Sequence, residues 1–154
     1  MILNQADGST PQRFLPNVSA IVPIYNGEAD LPDLIDCLQA QTYPSDRVEY
    51  LLVDNASRDR TAELLKTAVP EAASRGITLR ALQENNIQSS YAARNAGIRA
   101  ASGEILAFTD ADCRPQPDWL EALISPFAKP TIGIVVGEIA ALSGKTLLEQ
   151  HADR

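Results

Sequence analysis

The sequence predicts an α/β domain, a mostly parallel sheet with helices on both faces. Three observations predict it. Apolar strand-like runs alternate with helical stretches four times along the chain, the βαβ pattern of a parallel sheet with right-handed crossovers. The runs end abruptly on polar residues, and acids follow them at Asp54 and at Asp110 and Asp112. No repeat, low-complexity tract or linker interrupts the series after Asn17. With 154 residues the chain is long enough for one core and too short for two domains.

Each element follows from local chemistry. Residues 1–17 are polar and carry Pro11 and Pro16, so they read as a flexible leader, without the basic start and apolar stretch of a signal peptide. Val18 to Ile24 is the first strand, with Pro23 near its end, where the ladder can spare an N–H. Tyr25-Asn26-Gly27 is a turn. Leu31, Leu34, Ile35 and Leu38 then recur on one helical face, with Asp30 as the expected N-cap and Pro32 in the first turn. Val48 to Val53 is the second strand. A helix from about Thr61 carries Leu64, Leu65 and Ala68; Pro70 should kink or end it, and Gly76 stops it. Ile77 to Leu82 is a thinner third strand. Ser89 or Ser90 caps a small-residue helix running through Ala92, Ala93, Ala96 and Ile98 towards Gly103.

Ile105-Leu106-Ala107-Phe108 is unbroken apolar sequence, the pattern of a central strand buried on both faces. Pro115 and Pro117 forbid its continuation, and Pro117-Asp118-Trp119-Leu120 starts a short helix. Ile132 to Ala141 reads as a further strand, and Thr146 to Arg154 as the start of a helix.

Composition narrows the function. Thirteen basic residues against 20 acidic ones give a net charge of −7, and aromatics are only 5%. Such a chain repels a phosphate backbone and lacks a stacking platform, so nucleic acid is not an expected partner. No apolar run approaches a membrane span. Cys37 and Cys113 stand far apart in no metal-ligand spacing and read as reduced thiols of a cytosolic protein, with a disulfide between them as the alternative.

The acids carry the chemistry. Asp54, Asp110 and Asp112 should share the carboxyl edge of the sheet, where open α/β sheets bind ligands. Asp110 and Asp112 point the same way if extended, and paired carboxylates repel unless a cation neutralises them. Hard oxygen donors suit Mg²⁺ or Mn²⁺, completed by substrate phosphates. The competing reading is a polar turn, with Asp110 in an Asx-turn and Asp112 capping a helix.

Taken in order, Val22 to Asn26, Leu52 to Ser57, Ala92 to Ile98 and Gly103 to Asp112 with Pro117-Asp118-Trp119-Leu120 closely resemble the donor-binding half of family 2 glycosyltransferases, which have the Rossmann-like GT-A fold. The likeness runs from Val18 to about Ala141. It implies a nucleotide-diphosphate-sugar site over residues 18–154, in which Pro23, Tyr25 and Asn26 wrap base and ribose and Glu28 is a weaker member. It implies that Asp54 accepts from the base, favouring a UDP-sugar, and that Arg94 lies near the donor phosphates. Asp110 and Asp112 would hold the Mg²⁺ or Mn²⁺. Structural alternatives stand beside these: Asp54 as a loop cap, Tyr25 as a packing residue, Arg94 as the partner of a surface acid, Trp119 as core.

The resemblance implies inverting transfer of the sugar to a hydroxyl of a saccharide, lipid or protein acceptor, in cell-wall or polysaccharide synthesis. It places the enzyme in the cytoplasm, including the inner face of a membrane. The family's base lies beyond the Ile132 to Ala141 strand, where only Glu138, Glu149 and Asp153 are found and none is in the motif. The catalytic base is therefore expected outside the chain, which reads as a donor half cut before its acceptor segment and able to self-associate through exposed apolar surface. Two rivals remain: a non-catalytic nucleotide-sugar module, and a receiver-like signalling domain, which lacks a suitable lysine.

Overall fold

The computed structural model describes residues 12–141. Its strands are β1 (Val18–Ile24), β2 (Val48–Asp54), β3 (Thr78–Gln83) and β4 (Ile105–Phe108), and its helices are α1 (Leu31–Gln39), α2 (Thr61–Ser74), α3 (Ser90–Ala100) and α4 (Trp119–Ile124). The strands form one parallel sheet in the order β3-β2-β1-β4. The alternating pattern of the sequence thus becomes the α/β architecture it predicts. The register runs from Val18 opposite Val48 to Ile24 opposite Asp54, which sets every strand's carboxyl end on the same edge.

Every residue of β1 is buried, because helices cover both faces of the sheet. Val18, Ala20, Val22 and Ile24 join the core formed with Leu31, Leu34 and Leu38 of α1, Leu65 and Ala72 of α2, and Leu120 and Ile124 of α4. Burying each large aliphatic side chain contributes about 1.5–3 kcal/mol. Ile21 faces the other way, onto α3. There Gly97 is required by contact, since a Cβ would lie 2.5 Å from Ile21 Cγ2.

Glu49 ties the opposite, amino edge. Its Oε1 accepts from Ser19 Oγ at 2.7 Å, Ser102 N at 2.7 Å and Ser102 Oγ at 2.8 Å. Its Oε2 accepts from Arg80 Nη1 at 2.9 Å. One carboxylate therefore links β1, β2, β3 and the turn before β4.

The structure corrects several expectations. Helix α2 does not end at Pro70 but continues to Ser74: the intrahelical bond that proline removes would have joined the Lys66 carbonyl, on an exposed part of the helix where solvent can replace it. It ends in a Schellman motif: Gly76 has φ 74°, Ile77 N donates to Ala72 O and Gly76 N to Ala73 O. Strand β4 is not central; among the described residues it pairs with β1 alone, and Leu106 and Phe108 are exposed. Residues 132–141 form no strand, and Ile134, Val136 and Ile139 stand in solvent because no described element offers them a partner. The helix expected from Thr146 to Arg154 lies outside the described residues, as do residues 1–11 of the leader. Its remainder is anchored: Pro16 O accepts from Tyr43 Oη at 2.6 Å, Leu15 packs on the core and Arg13 pairs with Glu121.

Candidate functional site

The site edge begins with the loops after β1 and β2. Each turns through a left-handed residue, Asn26 at φ 50° and Ala56 at φ 58°. Asparagine tolerates this region; at alanine it costs about 1–2 kcal/mol and persists only where the surroundings enforce it. A network enforces it here. Asn26 N donates to Ser57 Oγ at 2.9 Å, and Arg58 N returns a bond to Asn26 Oδ1 at 2.8 Å. Gly27 N donates to Thr61 Oγ1 at 2.9 Å and Glu28 N to Asp59 Oδ2 at 2.9 Å. Glu28 in turn accepts from Arg60 Nε at 2.8 Å and Arg60 N at 3.1 Å.

The acids of this clasp are held ionised. The bond from the Arg60 side chain is the main reason Glu28 sits below the ordinary carboxylate range. Burial works to raise Asp59, but hydrogen bonds from the Thr61 hydroxyl and from the Glu28 and Thr61 amides outweigh it and lower the group. Asn26 and Glu28, expected as donor-binding residues, thus have side chains engaged in joining two loops. Tyr25, directly before Asn26, is half exposed, and Pro23 is buried as the β1 partner of Val53.

Asp54 is the last residue of β2 and is buried. Its Oδ1 accepts from Ser57 N at 3.1 Å, so it does cap its loop. Its second oxygen accepts nothing from the described residues. Beside it lies a groove of about 510 Å³ lined by Asp54, Leu65, Lys66, Val69, Leu82 and Gln83.

Sequence reasoning passed over the neighbouring Asn55, which is buried and donates to the carbonyls of Glu84 at 2.8 Å and Ile87 at 2.9 Å. Glu84 then accepts from Ile87 N and Asn86 N, and these bonds lower its pKa. The β3–α3 loop is thereby fixed to the end of β2. The only signal for this was an asparagine directly after a strand-ending acid.

Helix α3 is capped by Ser89, whose Oγ accepts from Ala92 N at 3.2 Å. The cap sets the phase of the helix and sends Arg94 to the carboxyl edge, where its Nη2 lies 2.5 Å from Asp110 Oδ1. Asp110 and Asp112 are both exposed in the turn after β4, which Cys113 N closes onto the Asp110 carbonyl at 3.1 Å. Asp112 caps no helix and makes no side-chain bond among the described residues except a 4.0 Å contact with Cys113 Sγ. Both cysteines are free thiols. Trp119 packs against the core.

No group of three or more metal-ligating side chains occurs among the described residues. Two exposed carboxylates fit a hard divalent cation whose remaining ligands are water and phosphate.

The parallel sheet gathers Asp54, Asp110 and Arg94 at its carboxyl edge, the edge where open α/β sheets take their ligands. The chain matches the family model of glycosyl transferase family 2 over residues 19–154. It is 39% identical over 139 residues to glycosyltransferase AglE of Haloferax volcanii, covering 89% of this chain and 44% of that protein. The mannosyltransferase PcManGT from Pyrobaculum calidifontis, solved with GDP-Man and Mn²⁺, aligns at TM-score 0.72 and 32% identity over 78% of this chain and 34% of its own. S. aureus TarS 1–349, solved with UDP, aligns at TM-score 0.60 and 26% identity over 69% of this chain and 30% of its own. The chain belongs to glycosyl transferase family 2 and has the GT-A fold. It spans less than half the length of these relatives.

Proposed function

We propose that this chain forms the donor site of an inverting glycosyltransferase that takes a nucleotide-diphosphate sugar, a UDP-sugar in preference, for transfer to a hydroxyl acceptor. The observation that carries the reading is the grouping of Arg94, Asp110 and the unengaged Asp112 at one edge of the sheet. Asp54 keeps one oxygen for the N–H of a base. Tyr25, half exposed at the end of β1, offers a face to the base or ribose. Arg94 spends one amino group on Asp110, and its other donors can take a diphosphate oxygen.

Asp110 and Asp112 are the residues that would hold Mg²⁺ or Mn²⁺, which neutralises charge on a departing nucleoside diphosphate. The similarity to a structure solved with GDP-Man and Mn²⁺ and to one solved with UDP supports both the donor class and the cation. A general base for the acceptor hydroxyl is not identified among the described residues, so these residues alone are expected to bind donor without rapid turnover.

Calorimetric titration of UDP into the protein, with Mn²⁺ and with chelator, tests the reading. Wild-type binding should depend on metal, and Asp112→Ala should lose that dependence. The loss should exceed the ~10–100-fold that removal of an outer-sphere partner costs. The variant should remain folded, since among the described residues the Asp112 side chain meets only Cys113 Sγ, at 4.0 Å. Equal UDP affinity with and without metal, or in the variant and the wild type, would refute it.

A further inference from the structure

We propose that Arg114 is a positioning residue for the cation-binding turn, holding the backbone on both sides of Asp112 against the first turn of α1. The proposal rests on the donor-site reading above. Arg114 Nη1 donates to the carbonyl of Ala111 at 3.3 Å and to that of Cys113 at 2.9 Å. These are the residues immediately before and after Asp112. Its Nη2 donates to Asp30 Oδ1 at 2.8 Å, and its Nε lies 3.6 Å from Asp33 Oδ2. A planar guanidinium can satisfy carbonyls and a carboxylate together; an ammonium cannot reach all of them in that plane.

Two further observations point the same way. The Arg114 side chain is 19% exposed although it belongs to a turn whose two aspartates stand in solvent. Asp30 occupies the N-cap position of α1, yet its side chain makes no capping bond. Aspartate at that position ordinarily accepts from the helix's own free amides. Here its carboxylate is turned to the arginine instead.

The contact joins two loops of the site edge. Asp30 N donates to Gly27 O at 3.0 Å, closing the loop that carries Tyr25 and Asn26. Beyond the turn the chain is held by the residues that follow α1: Gln41 Nε2 donates to Gln116 O at 2.7 Å and Thr42 N to Pro117 O at 2.8 Å. The segment from Asp110 to Pro117 is thus fastened at both ends of one helix, and Arg114 is the fastener next to Asp112. A site made of only two carboxylates gains affinity when their separation is set before the cation arrives.

The test uses the full chain as wild type, Arg114→Gln, Asp30→Asn and the double variant. Mn²⁺ is titrated in the presence of UDP, and amide hydrogen exchange is followed over residues 110–114. Each single variant should raise the Mn²⁺ concentration needed for UDP binding about tenfold, the effect of losing an outer-sphere support. The double variant should be little worse than the poorer single one, because both remove one contact. Arg114→Lys should restore only part of the affinity. Exchange should quicken over 110–114 and stay at the wild-type rate in β1.

An unchanged Mn²⁺ requirement in Arg114→Gln, beside a wild type that responds to Mn²⁺, overturns the proposal alone. A wild type that binds UDP with no response to Mn²⁺ overturns the donor-site reading and the proposal with it. Strictly additive effects of the two substitutions would show that Arg114 and Asp30 act separately, which also overturns it.

Discussion

Glu49→Gln keeps the side chain's size and removes its charge. In the folded protein burial works to raise this carboxyl, but the bonds from Ser19, Ser102 and Arg80 outweigh it and bring the pKa from 4.5 to about 2. The side chain is only 11% exposed, so solvent screens those bonds weakly. At about 1.4 kcal/mol per pH unit, that displacement corresponds to roughly 3 kcal/mol of folding stability. The sign follows from a depressed pKa. The contribution is complete above the unfolded value of 4.5 and is lost as pH falls towards about 2. Glutamine resembles the protonated acid and never has this contribution.

Urea denaturation followed by the fluorescence of the single tryptophan reports it directly. Wild type should exceed Glu49→Gln by about 3 kcal/mol at pH 7 and by about half of that at pH 3. A difference below about 0.5 kcal/mol at pH 7, the scale of an ordinary surface change, would refute the reasoning. So would a difference that does not shrink with acid, since the energy would then not come from the charge.

Gly97→Ala places a methyl 2.5 Å from Ile21 Cγ2 and 3.4 Å from Val53 Cγ2, forcing α3 away from the sheet. It should cost about 1–3 kcal/mol in the same assay, and a stability equal to wild type would mean that the helix has room to move. Asn55→Ala strips the donor from the carbonyls of Glu84 and Ile87. It should cost about 1–3 kcal/mol and weaken UDP binding, because the loop it frees leads into the helix that carries Arg94. Unchanged exchange rates at Glu84 to Ser89 would count against that account. The Asp112→Ala titration and the Arg114–Asp30 cycle complete the set.

Much of the fold was legible in residue order. Apolar runs and the 3.6-residue period, with Ser89 and Gly76 at helix ends, placed the four strands and four α-helices of the described residues to within a few residues, but also a strand at 132–141 that does not form. Burial around Pro70 was not legible. Whether a proline ends a helix depends on what serves the carbonyl it leaves free, and that is decided by which side faces water. The apolar run of β4 misled for a related reason: it has the chemistry of a central strand, but a strand is central only when another pairs with its far side.

The sequence by itself determined the fold class, the order of its elements and the placing of Asp54, Asp110 and Asp112 at strand ends. These depend on local hydrophobic period and on the single direction a parallel sheet imposes on its strands. Only the tertiary structure decided which side chains remain for a ligand. Asn26 and Glu28 are engaged in the loop clasp, Arg94 meets Asp110, and Asp112 stays unengaged. Arg114 reaches Asp30 across 84 positions of sequence. Hydrogen bonds between loops depend on distances set by the packing of the sheet and helices, and no spacing along the chain encodes them.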